Sequence, residues 1–137
     1  MIEIKIIKDA PIDDLILLYK DAGWWSEEND GVDPDFIQKI VDGSFCFAVA
    51  YHEGGVVGMG RAISDGVSDA YIQDVVVLSE YRGKGIGIKI MDTIIDFLKS
   101  KGIGWISLIS EPKAVAFYER YGFTKMEEYI PFRLTDD

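Results

Sequence analysis

One cysteine and one histidine stand in the 137 residues. A single thiol cannot close an internal disulfide, and one imidazole beside it cannot complete a structural zinc site, so no metal is expected. Cys46 lies in the apolar run Phe45–Ala50, which reads as a buried strand, and is expected to pack inertly in a reducing, cytoplasmic setting. His52, beside Glu53-Gly54-Gly55, reads as a turn residue. No apolar run approaches the ~18–20 residues of a membrane span, and no signal-peptide pattern opens the chain. Cations are scarce: 14 Lys and Arg against 24 Asp and Glu leave a net charge of −10, which disfavours nucleic acid as a partner. Repeats, low-complexity tracts and linkers are absent, which points to one domain over 1–137.

Against that acidic background, Arg82, Lys84 and Lys89 gather around the glycine-rich stretch Tyr81-Arg82-Gly83-Lys84-Gly85-Ile86-Gly87. Upstream, Tyr71 to Leu78 is apolar and β-branched enough to read as a mostly buried strand. Downstream, Met91, Ile94, Ile95 and Leu98 recur at helical spacing. Alternate glycines let backbone N–H groups converge, and the helix N-terminus adds unpaired donors and partial positive charge. Arg82 and Lys84 add whole charges, so the expected occupant is a phosphate-bearing polyanion. A P-loop is excluded, because Lys89 has no glycine before it and no hydroxyl after it. A Rossmann fingerprint is excluded too: counted from Gly85, its last glycine position holds Ile90.

The pattern present is R-x-x-G-x-G at Arg82, Gly85 and Gly87, after a Val-x-Val strand. About thirty residues on comes Ala114-Val115-Ala116-Phe117-Tyr118-Glu119-Arg120-Tyr121-Gly122-Phe123. The first segment resembles the pyrophosphate-binding motif of the GNAT superfamily of N-acetyltransferases. The second resembles that superfamily's A-x-x-F-Y-x-x-x-G-F signature, in the expected order. Ile2, Ile4 and Ile6 read as a first strand, with helices from Pro11 and from Asp33-Pro34. Strands follow at Phe45–His52 and Val56–Ser64, joined at Gly54-Gly55, then Tyr71–Leu78 and Trp105–Ile109. A helix over Lys113–Tyr121 and a last strand within Thr124–Leu134 complete the order. The expected fold is α/β (α+β in some schemes): a mixed, largely antiparallel sheet with a β-α-β crossover and helices on both faces.

The resemblance implies acetyl-CoA as cosubstrate, with its pyrophosphate on Arg82, Gly83, Lys84, Gly85, Ile86 and Gly87. It implies that backbone groups of Val75 and Val77 pair with the pantetheine arm, and that Tyr118 protonates the departing thiolate. Phe117 and Phe123 are expected to be core. Acetyl transfer needs a neutral amine, and an alkyl ammonium with pKa near 10.4 is about one part in a few thousand neutral at pH 7. A base or a water chain is therefore required. Asp74 is the first candidate, with Asp69 and Glu111 behind it. Trp24 and Trp25, with Glu27, Glu28 and Asp30 nearby, are candidates for an acceptor wall suited to a cationic amine. Two departures from the family pattern stand out: Glu111 where Asn is common, and Ser79 where proline is common, the latter expected to matter little. The expected activity is acetyl transfer to a small primary amine by a monomer or homodimer. An acyl-CoA-binding module without catalysis, or an enzyme acting on protein or peptide amines, are the alternatives.

Overall fold

Isoleucines at positions 2, 4 and 6 alternate with Glu3 and Lys5, and β1 (Ile2–Ile6) forms over them, antiparallel to β2 (Cys46–His52). This computed structural model describes residues 1–26 and 33–135, and the chain divides into two compact units, Met1–Ser107 and Leu108–Asp137. The five-stranded sheet runs β1-β2-β3-β4-β5, with β3 at Gly55–Ser64, β4 at Asp69–Val77 and β5 at Trp105–Leu108. The pairs β1–β2, β2–β3 and β3–β4 are antiparallel. Four helices accompany the sheet among the described residues: α1 (Ile12–Asp21), α2 (Pro34–Gly43), α3 (Ile86–Ser100) and α4 (Val115–Tyr121).

The β2–β3 hairpin turns one residue earlier than its glycine pair suggests. Glu53 and Gly54 both take positive φ, 52° and 85°, while Gly55 already pairs with His52. Two-residue hairpin turns need left-handed backbone to match strand twist, and here Glu53 is drawn into it. β4 begins two residues before the expected Tyr71 and alternates in its first half: Ala70 and Ile72 are buried, while Tyr71 and Gln73 are exposed. Cys46 is buried, and burial pushes its thiol up to about 11, which suits packing rather than reactivity.

From β4 the chain passes through a 3₁₀ turn (Ser79–Tyr81) and the glycine stretch into α3, then returns to β5 beside β4. Ile86, Ile90, Met91, Ile94 and Leu98 form the fully covered face of α3. Burying side chains of this size contributes about 1.5–3 kcal/mol each. The helix can lie this close because β3 carries glycine where it faces α3. A Cβ at Gly58 would stand 2.9 Å from Ile90 Cδ1, and one at Gly60 would stand 3.0 Å from Ile90 Cγ2 and from Ile94 Cδ1. Successive strand residues point to opposite faces, so Arg61 projects away from α3, where it meets Ser44 at the end of α2. Thus α3 covers one face of β3, and α1 and α2 lie on the other.

The second unit holds a 3₁₀ turn (Pro112–Ala114) and α4, which stops at Gly122 with φ 128°. The expected strand within Thr124–Leu134 does not form: positions 123–135 carry no strand among the described residues, and Phe132 and Leu134 are exposed. Alternating apolar side chains need a ladder partner as well as a pattern, and Pro131 supplies no N–H to one.

Gly58→Val places a branched side chain against Ile90. We expect a loss of about 1–3 kcal/mol in urea unfolding, the usual result of overpacking. Ile90→Ala added to Gly58→Val should cost less than Ile90→Ala alone, because it empties the space that the valine needs.

Candidate functional site

The glycine stretch is built as an open row of donors. Gly83 and Gly85 take φ 78° and 81°, backbone that favours glycine, and a Cβ on either would meet nothing within 4 Å. Gly85 is the N-cap of α3 and has no side chain to accept from the first turn, which also lacks an acidic residue. The first helical bond runs from Lys89 N–H to Gly85 O at 3.2 Å. The N–H groups of Ile86, Gly87 and Ile88 are therefore left without an intrahelical acceptor, at the positive end of a 15-residue helix.

The two flanking cations are already oriented. Arg82 Nε donates to Val77 O at 2.9 Å, and its Nη2 lies 3.6 Å from Asp21 Oδ2. Lys84 Nζ sits 5.4 Å from the centre of the Tyr81 ring. Asp21, the last residue of α1, also accepts from Ser79 N–H at 3.1 Å and from Ser79 Oγ at 3.2 Å. Ser79 therefore matters more than its sequence suggests, since a proline there would have no N–H for Asp21. Val77 O is engaged by Arg82, which ties the loop back to the end of β4.

Just before this loop, β4 is irregular. Met59 pairs with Val76 and Arg61 with Gln73, so the single residue Gly60 faces both Asp74 and Val75. Asp74 takes φ 56°, one of two non-glycine residues with positive φ among those described. For an ordinary L-residue that conformation costs roughly 1–2 kcal/mol, less for aspartate. Side chains hold it there. Asp74 Oδ2 accepts from Arg61 Nε at 2.7 Å and from Tyr19 OH at 2.7 Å. Arg61 also donates from Nη1 to Ser44 Oγ at 3.3 Å and from Nη2 to Gln73 Oε1 at 3.2 Å. Burial and the Asp74 anion push the Tyr19 phenol far above its usual range, so it remains a donor. Neither Arg61 nor Tyr19 was marked by the sequence, because their partner lies 13 and 55 residues away.

Asp74, Val75, Val77 and the glycine stretch are thus brought to one end of β4. Asp69 is not: it opens the same strand, about 17 Å from Asp74 at 3.3 Å per residue, and its carbonyl accepts from Ser64 Oγ. Trp24 and Trp25 leave α1 with their N–H groups on Tyr19 O. Trp25 stacks on the Tyr19 ring at 4.5 Å and lies 5.9 Å from Phe36. Trp24, 37% exposed, tilts against Tyr19 at 6.0 Å. The indoles differ in role, then: Trp25 packs, and Trp24 presents surface. Glu27, Glu28 and Asp30 lie outside the described residues.

Tyr118 belongs to the second unit, on α4, between Phe117 at 5.1 Å and Phe123 at 6.0 Å. Burial first, and then the Glu111 carboxylate, raise its phenol above the ordinary value. It therefore keeps its proton at neutral pH. Phe117 and Phe123 pack against this one ring, and Tyr121 joins them at 6.0 Å from Phe123.

The residues fit a coenzyme with a pyrophosphate and an amide-bearing arm. The helix start offers converging donors with open space above them, and on β5, next to β4, the buried Ser107 Oγ has no partner among the described residues. No group of three or more His, Cys, Asp or Glu able to hold a metal occurs among the described residues, and no helix there is long and apolar enough to cross a membrane.

The model of the acetyltransferase (GNAT) family matches residues 11–123. An uncharacterized N-acetyltransferase, ycf52, of Gracilaria tenuistipitata var. liui is 36% identical over 91 residues, 64% of this chain and 50% of that protein. The chloroplastic serotonin N-acetyltransferase 2 of Oryza sativa subsp. japonica is 40% identical over 70 residues, 51% of this chain and 35% of its own length. The chain thus spans half or less of these relatives. A GNAT family acetyltransferase from Streptococcus pneumoniae has the same fold, with TM-score 0.79 and 24% identity over 99% of this chain and 98% of that one. With a family match over residues 11–123, most of its length, the chain belongs to the GNAT acetyltransferase family.

Proposed function

We propose that the protein moves an acetyl group from acetyl-CoA to the primary amine of a small molecule by direct attack on the thioester. The observation that carries this is the uncapped helix start of α3, with its open glycines, placed directly after the irregular end of β4. The pyrophosphate would rest on the N–H groups from Gly83 to Gly87, with Arg82 and Lys84 supplying charge. Arg82 would keep its bond to Val77 O while turning its remaining nitrogens to phosphate. The pantetheine arm would pair with backbone groups of Val75 and Val77. A backbone N–H of that stretch would polarise the thioester carbonyl, as oxyanion donors do. A single buried cysteine suits a reducing, cytoplasm-like compartment.

In this reading the ammonium first gives one proton to Asp74 or, through water, to solvent. The neutral amine nitrogen then attacks the carbonyl carbon, and the C–S bond breaks as the pair on sulfur takes a proton from Tyr118. The second proton, which the nitrogen sheds as the amide forms, returns through water to the Tyr118 phenolate. Asp74 Oδ2 already holds two donors, and no donor faces Oδ1 among the described residues, which leaves that oxygen for the amine. Trp24 would form the acceptor wall. The rice relative carries serotonin in its name, an amine on an aromatic framework. Coenzyme A release, measured with a panel of small amines and lysine peptides, tests the proposal. Turnover with peptides alone would assign the activity to protein amines, and acetyl-CoA binding without turnover would make the chain a binding module.

Acetyl-CoA at about 100 times its dissociation constant should add about 2.7 kcal/mol and raise Tm by roughly 9 °C. Gly87→Glu should abolish that shift, yet fold well, because an acid in the first turn suits the helix dipole while occupying the phosphate position. Thermal melts with and without acetyl-CoA check both.

Trp25→Ala should lower stability by about 1–3 kcal/mol, less than a fully buried tryptophan loses. Trp24→Ala should lower stability less than Trp25→Ala does and raise the acceptor KM. Urea melts and steady-state kinetics separate the two.

Tyr118→Phe keeps the ring and removes the donor, so kcat should fall by roughly 10–1,000-fold at constant acetyl-CoA affinity. The high-pH limb of wild-type kcat should lie above the ordinary phenol value of about 10. Glu111→Gln removes an anion that holds the phenol protonated, so the limb should move to lower pH. A pH–rate profile with an acceptor for which chemistry limits turnover is the measurement.

A further inference from the structure

The guanidinium of Arg61 touches three elements at once. Its Nε meets Asp74 on β4, its Nη2 meets Gln73 one residue earlier, and its Nη1 meets Ser44 at the end of α2. Ser44 is itself fixed, donating from Oγ to Ile40 O at 2.6 Å. The Arg61 side chain is 16% exposed, and that of Asp74 24%. These bonds converge where β4 departs from its ladder: Gln73 is the last residue paired before the irregularity, and Asp74 is its left-handed residue. Tyr19 holds the same carboxylate oxygen from α1.

We propose that Arg61 is a positioning residue for acyl transfer, holding Asp74 in its left-handed conformation and thereby setting the backbone from Asp74 to Val75 that receives the thioester. This inference rests on the acetyl-transfer reading above. Three features of the molecule carry it. A largely buried arginine–carboxylate pair adds little net stability over an apolar pair, so its presence is better explained by the geometry it imposes. An aspartate at φ 56° leaves that conformation readily unless neighbours over-determine it, and such strain gathers at functional sites. The forked donors of arginine can hold Gln73 and Asp74 together in fixed relation, which a single ammonium cannot do. Arg61 also projects from β3 on the face opposite α3, so it acts on β4 without touching the glycine stretch.

The test is a double-mutant cycle with Arg61→Met and Asp74→Gly, with Arg61→Lys as the conservative variant. Coenzyme A release gives kcat and the acetyl-CoA KM, and amide hydrogen exchange reports on residues 73–77. Arg61→Met should lower kcat by about 10–100-fold, the scale of a misplacement near 1 Å, with the acetyl-CoA KM within about twofold. Amides at Val75 and Val76 should lose protection while those of α3 keep theirs. Arg61→Lys should restore part of kcat through its contact with Asp74. In the Asp74→Gly background, adding Arg61→Met should change kcat by less than about twofold, because glycine takes positive φ unaided and Arg61 has no carboxylate left to hold.

Multiplicative losses in kcat would overturn the proposal, since Arg61 would then act independently of Asp74. So would unchanged exchange at Val75 and Val76 in Arg61→Met. Should no amine or peptide support turnover by the wild type, the acetyl-transfer reading fails, and the exchange measurement still decides whether Arg61 sets the β4 backbone.

Discussion

The close approach of α3 to β3 is the contact on which the rest of the first unit depends. Glycine at 58 and 60 removes the two Cβ atoms that would stand about 3 Å from Ile90 and Ile94. The helix settles against the middle of the sheet, with five of its side chains almost wholly withdrawn from water. Since α3 begins directly after the glycine stretch, its packing also fixes where the first-turn N–H groups stand relative to the end of β4. A binding site made of backbone has no side-chain freedom with which to correct an error, so it needs a helix held rigidly along its length.

On the opposite face of the same strand, the chemistry is polar. Gly60 faces α3, and Arg61, one residue on, meets Asp74, Gln73 and Ser44. Two consecutive residues thus serve two purposes: one admits the helix that presents the donors, and the other grips the irregular stretch of β4. Asp21 ties these regions together from α1, accepting from Ser79 and lying 3.6 Å from Arg82. In a chain with a net charge of −10, carboxylates are the abundant side chains. Asp21 and Asp74 show them used as acceptors that orient the few cations, rather than as scattered surface charge.

The legible parts of the sequence were those governed by local rules. The spacing of Met91, Ile94, Ile95 and Leu98, the capping Asp33 before Pro34, and the alternation of Ile2, Ile4 and Ile6 each correspond to an observed element. The hairpin was displaced by one residue because left-handed backbone was demanded of Glu53 by strand twist, which no residue-type preference announces. The region around Thr124–Leu134 failed for the opposite reason: its pattern is strand-like, but pairing is a property of two segments. Ser79 was passed over because its value lies in an N–H that meets a residue 58 positions earlier.

Local composition determined the family motifs, the donor-rich turn at the start of α3 and the inert placement of Cys46, since glycine content, helical period and apolar runs act within a few residues of themselves. Tertiary structure alone decided that Trp25 packs on Tyr19 while Trp24 faces outward, and that Arg82 reaches back to Val77 and Asp21. It alone joined Tyr19, Arg61 and Asp74 at one carboxylate oxygen. Hydrogen bonds of 2.7 Å select partners by distance in space, and the separations of 13 and 55 residues along the chain leave no trace in its sequence pattern.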